Sequence, residues 1–117
     1  MRVLLVDDHQ DTLELLTELL REVGAEVRAA ASAADALAAL DGFSPHILVT
    51  DIRLPDGDGG ELVRLVRSRH GLASLPAVAL TGDSRAADDC FHRRLMKPVE
   101  PVVLVATLRQ ACGSDAP

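Results

Sequence analysis

The sequence predicts an α/β domain: a single, doubly wound, five-stranded parallel sheet with helices on both faces. Two observations carry that prediction. Short apolar runs such as Val3–Val6, Ile47–Val49 and Ala77–Leu80 have the length and β-branched content of strands buried on both sides. Between them, leucine, valine and alanine recur at helical spacing, and strands alternating with helices imply a parallel sheet joined by right-handed crossovers. A third observation is that each run gives way to polar residues. The first ends on Asp7-Asp8, the second on Thr50-Asp51 and the third on Thr81-Gly82, so polar groups gather at strand C-termini.

In order, Val3–Val6 is the first strand. From Asp11 the period changes: Leu13, Leu16, Leu20 and Val23 form a helical stripe, widened by Leu15 and Leu19. Asp11 is the expected N-cap, with Glu14 as its capping-box partner, and Gly24 the stop. Ala25–Ala30 alternates weakly and reads as an edge strand. Ser32 caps an alanine-rich helix through Leu40, with Leu37 and Leu40 facing the core, and Asp41-Gly42 ends it. Pro45 precedes the central strand, which starts near His46 and closes on Asp51. Pro55, Gly57 and Gly59 then turn the chain, with Asp56 and Asp58 as turn residues. Glu61–Arg69 is helical, burying Leu62, Val63, Leu65 and Val66 and leaving Arg64, Arg67 and Arg69 solvated. After the fourth strand at Ala77–Leu80, the stretch from Asp83 to Asp89 supports only a brief helix. Leu95-Met96 is a short fifth strand, Lys97-Pro98 comes next, and the last helix runs from about Glu100 to Ala111. Residues 1–112 are expected to form the domain, and 113–117 a tail or the start of a linker.

Five such units favour the flavodoxin-like strand order 2-1-3-4-5, whose switch point lies between strands one and three. Those strands deliver Asp7, Asp8 and Asp51 to one crevice. Clustered carboxylates repel, and each raises the cost of ionising the next, unless a cation sits among them. Hard oxygen ligands favour Mg²⁺; no loop supplies the many oxygens Ca²⁺ prefers. A carboxylate can also attack phosphorus to give an acyl phosphate, a reaction that depends on positioning and charge neutralisation. The ends of strands four and five offer Thr81 and Lys97 for that purpose. Taken singly each has a plainer use: Asp51 opening a loop, Thr81 capping a helix, Lys97 lying on the surface.

Composition narrows the partners. Across 117 residues the formal charge is −6, which argues against nucleic acid or an anionic membrane as the direct partner. No apolar run approaches the roughly 18 residues of a membrane helix, so a cytoplasmic location is expected. Cys90 and Cys112 have neither metal-ligand nor redox-motif spacing and read as reduced structural thiols. His9, His46, His70 and His92 show no metal spacing and read as surface residues.

The acidic pair Asp7-Asp8, Asp51 within D-I-R-L-P-D-G-D-G, Thr81-Gly82 and Lys97-Pro98 occur in order at successive strand ends. In these motifs, over essentially its whole length, the sequence resembles a response-regulator receiver domain, the chemotaxis-regulator-like phosphoacceptor module of two-component signalling. The resemblance implies that Asp51 takes a phosphoryl group from the phosphohistidine of a sensor histidine kinase or a phosphotransfer protein. It implies Mg²⁺ bound by Asp8, Asp51 and the backbone carbonyl of Arg53, with Asp7 acting largely through water. Lys97 would pair with phosphoryl oxygens, and Thr81 would move toward them and alter the helix 4–strand 5–helix 5 surface. A homodimer or a fused output domain would use that surface, and helix one, with Leu15 and Leu19, would dock the kinase. The Lys97-Pro98 bond would be cis. Such a domain is not an enzyme beyond its self-catalysed phosphoryl transfer and hydrolysis.

The sequence departs from the family pattern in three places. Lys97 lies 16 positions after Thr81, about one and a half helical turns fewer than is usual, so the fourth helix is short or partly missing. Arg94 replaces the usual switch aromatic, and Gly57 stands where a larger apolar residue is common. The last helix carries the run Val102-Val103-Leu104-Val105, more apolar surface than one buried stripe needs, which suggests a partner face or a neighbouring domain. Two rival functions remain. A degenerate receiver would bind partners without phosphorylation. An aspartyl-phosphate phosphohydrolase would want an acid at position 53, where Arg53 stands, and a substrate cap that 117 residues hardly supply. A flavin carrier is disfavoured by the absence of Trp and Tyr.

Overall fold

Five parallel strands pair in the order β2-β1-β3-β6-β7. They are β1 (Arg2–Val6), β2 (Glu26–Ala30), β3 (Ile47–Asp51), β6 (Ala77–Thr81) and β7 (Arg93–Met96); β4 (Arg53–Leu54) and β5 (Gly57–Asp58) form a separate antiparallel hairpin. With the hairpin set aside, this is the expected 2-1-3-4-5 order of the flavodoxin-like fold. The helices are α1 (Gln10–Glu22), α2 (Ala33–Ala39), α3 (Gly59–Arg67) and α4 (Pro101–Cys112). The computed structural model describes residues 1–69, 71–82 and 90–112. The brief helix expected at 83–89, with the short fourth helix it implies, lies outside the described residues, as do His70 and the tail at 113–117.

Alternation along the strands divides the core into two layers. Val3, Leu5, Ile47, Val49, Val78, Leu80 and Leu95 meet Leu13, Leu16 and Leu20 of α1 and Leu104 and Leu108 of α4. Leu4, Val6, Leu48 and Ala77 pack on the opposite face against Ala36 of α2 and Leu62, Val63 and Val66 of α3. Each fully buried leucine contributes about 1.5–3 kcal/mol relative to exposure. With only two phenylalanines and no other aromatic residue, aliphatic packing supplies most of the core.

Several expected details are corrected. Asp11 does not cap α1: His9 occupies the N-cap, and its side chain makes no capping hydrogen bond. Leu15 and Val23 do not join the buried stripe but lie 65% and 46% exposed. α3 starts at Gly59, because the Asp58 carboxylate accepts from the Glu61 N–H at 2.8 Å, and it ends at Arg67. Leu65 points outward, 49% exposed; the three other apolar residues of α3 already fill the stripe that faces the sheet. The last strand begins at Arg93, and the two-residue β4 and β5 pair where only turns were expected. The apolar surplus on α4 is present: Val102 is 80% and Val103 44% exposed. The Lys97–Pro98 bond is cis.

The segment from Asp51 to Gly59 is pinned at both ends. At its inner end the Gly59 N–H donates to the Ile52 carbonyl at 2.7 Å, and a Cβ at Gly59 would collide with the Asp51 carbonyl oxygen. At its outer end the Asp56 carboxylate accepts from Ala33 N–H and Ala34 N–H at 2.9 and 3.0 Å. Ser32 Oγ accepts from Asp35 N–H at 3.1 Å. The first three amides of α2, which have no partner inside the helix, are thus satisfied by one local hydroxyl and one distant carboxylate. The Ala34 and Ala33 amides together hold the Asp56 carboxyl below its ordinary value of 3.8.

These anchors lead to two expected outcomes. Gly59→Ala should lower unfolding free energy by about 1–3 kcal/mol, as overpacking does. Gly82→Ala, whose added Cβ meets nothing within 4 Å, should stay within about 0.5 kcal/mol; urea unfolding monitored by circular dichroism compares them. For Asp56 the folded pKa is depressed, so its contribution is complete above the unfolded value and is lost as pH falls through the folded one. The melting temperature of Asp56→Ala should therefore lie below wild type by a constant amount above about pH 5, and the gap should close in stronger acid.

Candidate phosphoacceptor and metal site

Strand register assembles the site. Val6 of β1 is opposite Thr50 of β3, Asp51 opposite Leu80 of β6, and Thr81 opposite Met96 of β7. One residue further along β1 and β7, Asp7 and Lys97 therefore reach the edge where Asp51 ends β3. Along their strands Asp7, Asp51 and Lys97 have the parity of Leu5, Val49 and Leu95, the face that α1 and α4 cover. Thr81 has the opposite parity.

Lys97 ties the acids together. Its Nζ donates to Asp51 Oδ2 at 2.9 Å and lies 3.0 Å from Asp7 Oδ2. The second approach is off the angle of a hydrogen bond. This buried oxygen is balanced by charge but accepts no directed hydrogen bond among the described residues. Burial opposes the charge on Lys97, yet its contacts with Asp51 and Asp7, and their charges, outweigh it and raise the lysine pKa above its ordinary value. The ammonium is therefore retained throughout the neutral range. Asp7 is fully buried, Asp51 nearly so, and Asp8 is exposed.

A cleft of about 430 Å³ opens over these groups, lined by Asp8, His9, Asp51, Ile52, Arg53, Thr81, Gly82 and Lys97. Every site residue expected from the sequence lines it except Asp7, which lies fully buried. Thr81 is buried at its rim and Arg53 is exposed at the start of the hairpin. The sequence reading missed His9. Its Nδ1 lies 3.4 Å from both Asp7 Oδ1 and Asp8 Oδ1, and its backbone N–H donates to Asp7 Oδ1 at 2.8 Å. The available signal was its place immediately after an acidic pair at a strand end. The other described histidines are on the surface, as expected: His46 and His92 each accept a backbone N–H through Nδ1, from Arg2 and Ala77.

The residues fit a divalent cation. Ligand atoms of Asp7, Asp8, His9 and Asp51 all lie within 4.8 Å of one another. Most are carboxylate oxygens, the donors Mg²⁺ prefers, and one buried oxygen lacks a directed hydrogen bond.

The structure thus joins acids at the switch point of a doubly wound sheet with a lysine across them and a hydroxyl at the rim. The family model described as "Response regulator receiver domain" matches residues 3–109, and the chain belongs to that family. It is 39% identical over 123 residues to an uncharacterised 14.6 kDa protein of Leptolyngbya boryana, covering 100% of this chain and 94% of that one. It is 36% identical over 113 residues to the transcriptional regulatory protein GltR of Pseudomonas aeruginosa, covering 92% of this chain but 47% of the regulator. The chain thus spans about half the length of that relative. Among solved structures, the chemotaxis response regulator CheY4 of Vibrio cholerae superposes with a TM-score of 0.85 at 27% identity, covering 94% and 97% of the two chains. Receiver domains of this family belong to two-component systems, and the family binds Mg²⁺ at an acidic pocket. No helix among the described residues is long and apolar enough to cross a membrane.

The Lys97 contacts can be tested as a unit. Lys97→Met leaves Asp7 and Asp51 facing each other without a counter-charge. It should cost about 1–3 kcal/mol of stability at neutral pH, a buried-pair penalty reduced by the partial exposure of the lysine. The cost should shrink in an Asp51→Asn background, and a double-mutant cycle of urea unfolding measures the coupling.

Proposed function

We propose that this chain is a Mg²⁺-dependent phosphoacceptor switch, taking a phosphoryl group onto Asp51 from the phosphohistidine of a sensor kinase or phosphotransfer protein. The observation that carries the reading is the Lys97 ammonium held against the carboxylate of Asp51 at the sheet's switch point. In the transfer, an Asp51 carboxylate oxygen attacks phosphorus and the bond to the histidine nitrogen breaks, leaving an acyl phosphate on Asp51. Lys97 then turns from the carboxylate to the phosphoryl oxygens, and the Thr81 hydroxyl completes their hydrogen bonding. Asp7, Asp8, Asp51 and the Arg53 carbonyl would hold Mg²⁺, which neutralises charge on the transferring group. Hydrolysis of the acyl phosphate resets the domain.

The added charge of roughly −1.5 to −2 biases the surroundings of Thr81 and the surface of β7 and α4. Exposed Val102 and Val103 suit that surface to a second copy or a fused output domain. Arg94 at the position of the usual aromatic makes the coupling from Thr81 particular to this chain. A reducing, cytoplasmic compartment suits Cys90 and Cys112, whose spacing is neither that of metal ligands nor that of a redox motif. Residues 1–112 are the working unit of this reading, and the domain is a signalling module with no substrate turnover of its own.

Intact-protein mass spectrometry after incubation with acetyl phosphate tests the proposal. Wild type should gain one phosphoryl adduct only when Mg²⁺ is present, and Asp51→Asn should gain none. Folded wild type without an adduct would leave a partner-binding domain that retains the acids, the reading Arg94 favours.

A further inference from the structure

His9 sits at a position whose local rules it breaks. Helix N-caps favour Ser, Thr, Asp and Asn because a side-chain oxygen can accept an orphan N–H. His9 caps α1 with no side-chain hydrogen bond to the helix, although Asp11 stands two residues on. The backbone explains the choice: the His9 N–H donates to Asp7 Oδ1 at 2.8 Å, which folds the chain back over the acidic pair. The imidazole is thereby left over the cleft, its Nδ1 at 3.4 Å from one oxygen of Asp7 and 3.4 Å from one of Asp8. Adjacent ligands around a single ion at 2.0–2.2 Å stand about 3–3.5 Å apart, so Nδ1 is at ligand-to-ligand distance from an oxygen of each acid. Departures from local preference of this kind collect at functional sites. Ligand atoms of His9, Asp7, Asp8 and Asp51 also lie within 4.8 Å of one another, so the imidazole belongs to the same cluster as all three acids.

We propose that His9 Nδ1 is a ligand of the divalent ion, and that it shifts the site's preference from Mg²⁺ toward nitrogen-accepting ions such as Co²⁺. The inference rests on the reading of the cleft as a divalent-cation site and adds its selectivity. An all-oxygen set suits Mg²⁺, whereas imidazole suits the later first-row metals, whose affinities for nitrogen sites rise along the series. One neutral imidazole among three carboxylates strengthens Co²⁺ binding more than Mg²⁺ binding. An imidazole acting only through charge would change both together.

The test is calorimetric titration of the full chain with Mg²⁺ and with Co²⁺, comparing wild type, His9→Ala and Asp8→Asn. The ratio of the Mg²⁺ to the Co²⁺ dissociation constant should fall on the order of tenfold in His9→Ala, the scale on which ligand surroundings tune affinity. Proton NMR of the Co²⁺-loaded protein should show a shifted, exchangeable imidazole N–H that is lost in His9→Ala. An unchanged ratio with the resonance retained overturns the His9 assignment. Asp8→Asn separates the two readings: if it weakens both metals while His9→Ala leaves their ratio unchanged, the cation site stands and His9 is no ligand. If wild type binds neither ion, both readings fall together.

Discussion

Three carboxylates gathered at neighbouring strand ends repel, and the fold holds them because one ammonium is fixed between two of them. A pair of like charges 4 Å apart costs about 4 kcal/mol at the effective dielectric of a protein surface, a large share of a small domain's stability. Lys97 reaches Asp51 and Asp7 from the end of β7, across β6, so neutralisation depends on the whole sheet keeping its order. The rest of the architecture serves that alignment. Strands buried on both faces fix the register, and the register decides which residues meet at the edge.

The strands were readable because burial on both faces leaves uninterrupted apolar runs, and the order of the acids along the chain came with them. Helix starts were read less well. At α1 the capping rule pointed to Asp11, but a bond two residues back, Asp7 Oδ1 accepting the His9 backbone N–H, goes with a first turn set earlier. At α3 the two glycines looked like part of the turn. Gly59 is the first helical residue because Asp58 caps α3, and it is glycine because only a residue without Cβ fits against the Asp51 carbonyl. Leu65 was assigned inward on apolar character alone, which says little about a single exposed leucine.

Within the site, Asp7, Asp8, Asp51, Thr81 and Lys97 were marked by their places at strand ends. His9 and Asp56 were not. Both read as ordinary surface or turn residues: His9 meets the acids just before it in the chain, but histidine lacks the oxygen that marks an N-cap, and the groups Asp56 meets are defined by tertiary placement. Asp56 meets the amides of residues 33 and 34, more than twenty positions back in the chain. No local pattern encodes such a contact.

That contact has a consequence for how the chain can change over time. The segment after Asp51 is fastened at Gly59 by a backbone that must approach closely, and at Asp56 by two amides of another helix. Substitutions at the exposed Arg53 and Pro55 leave both fasteners in place. An inserted or deleted residue would carry Asp56 away from the amides or push a side chain into the Asp51 carbonyl. The loop's length is therefore held more tightly than the identity of its exposed Arg53 and Pro55, and descendants of this sequence can vary those letters more freely than the number of residues.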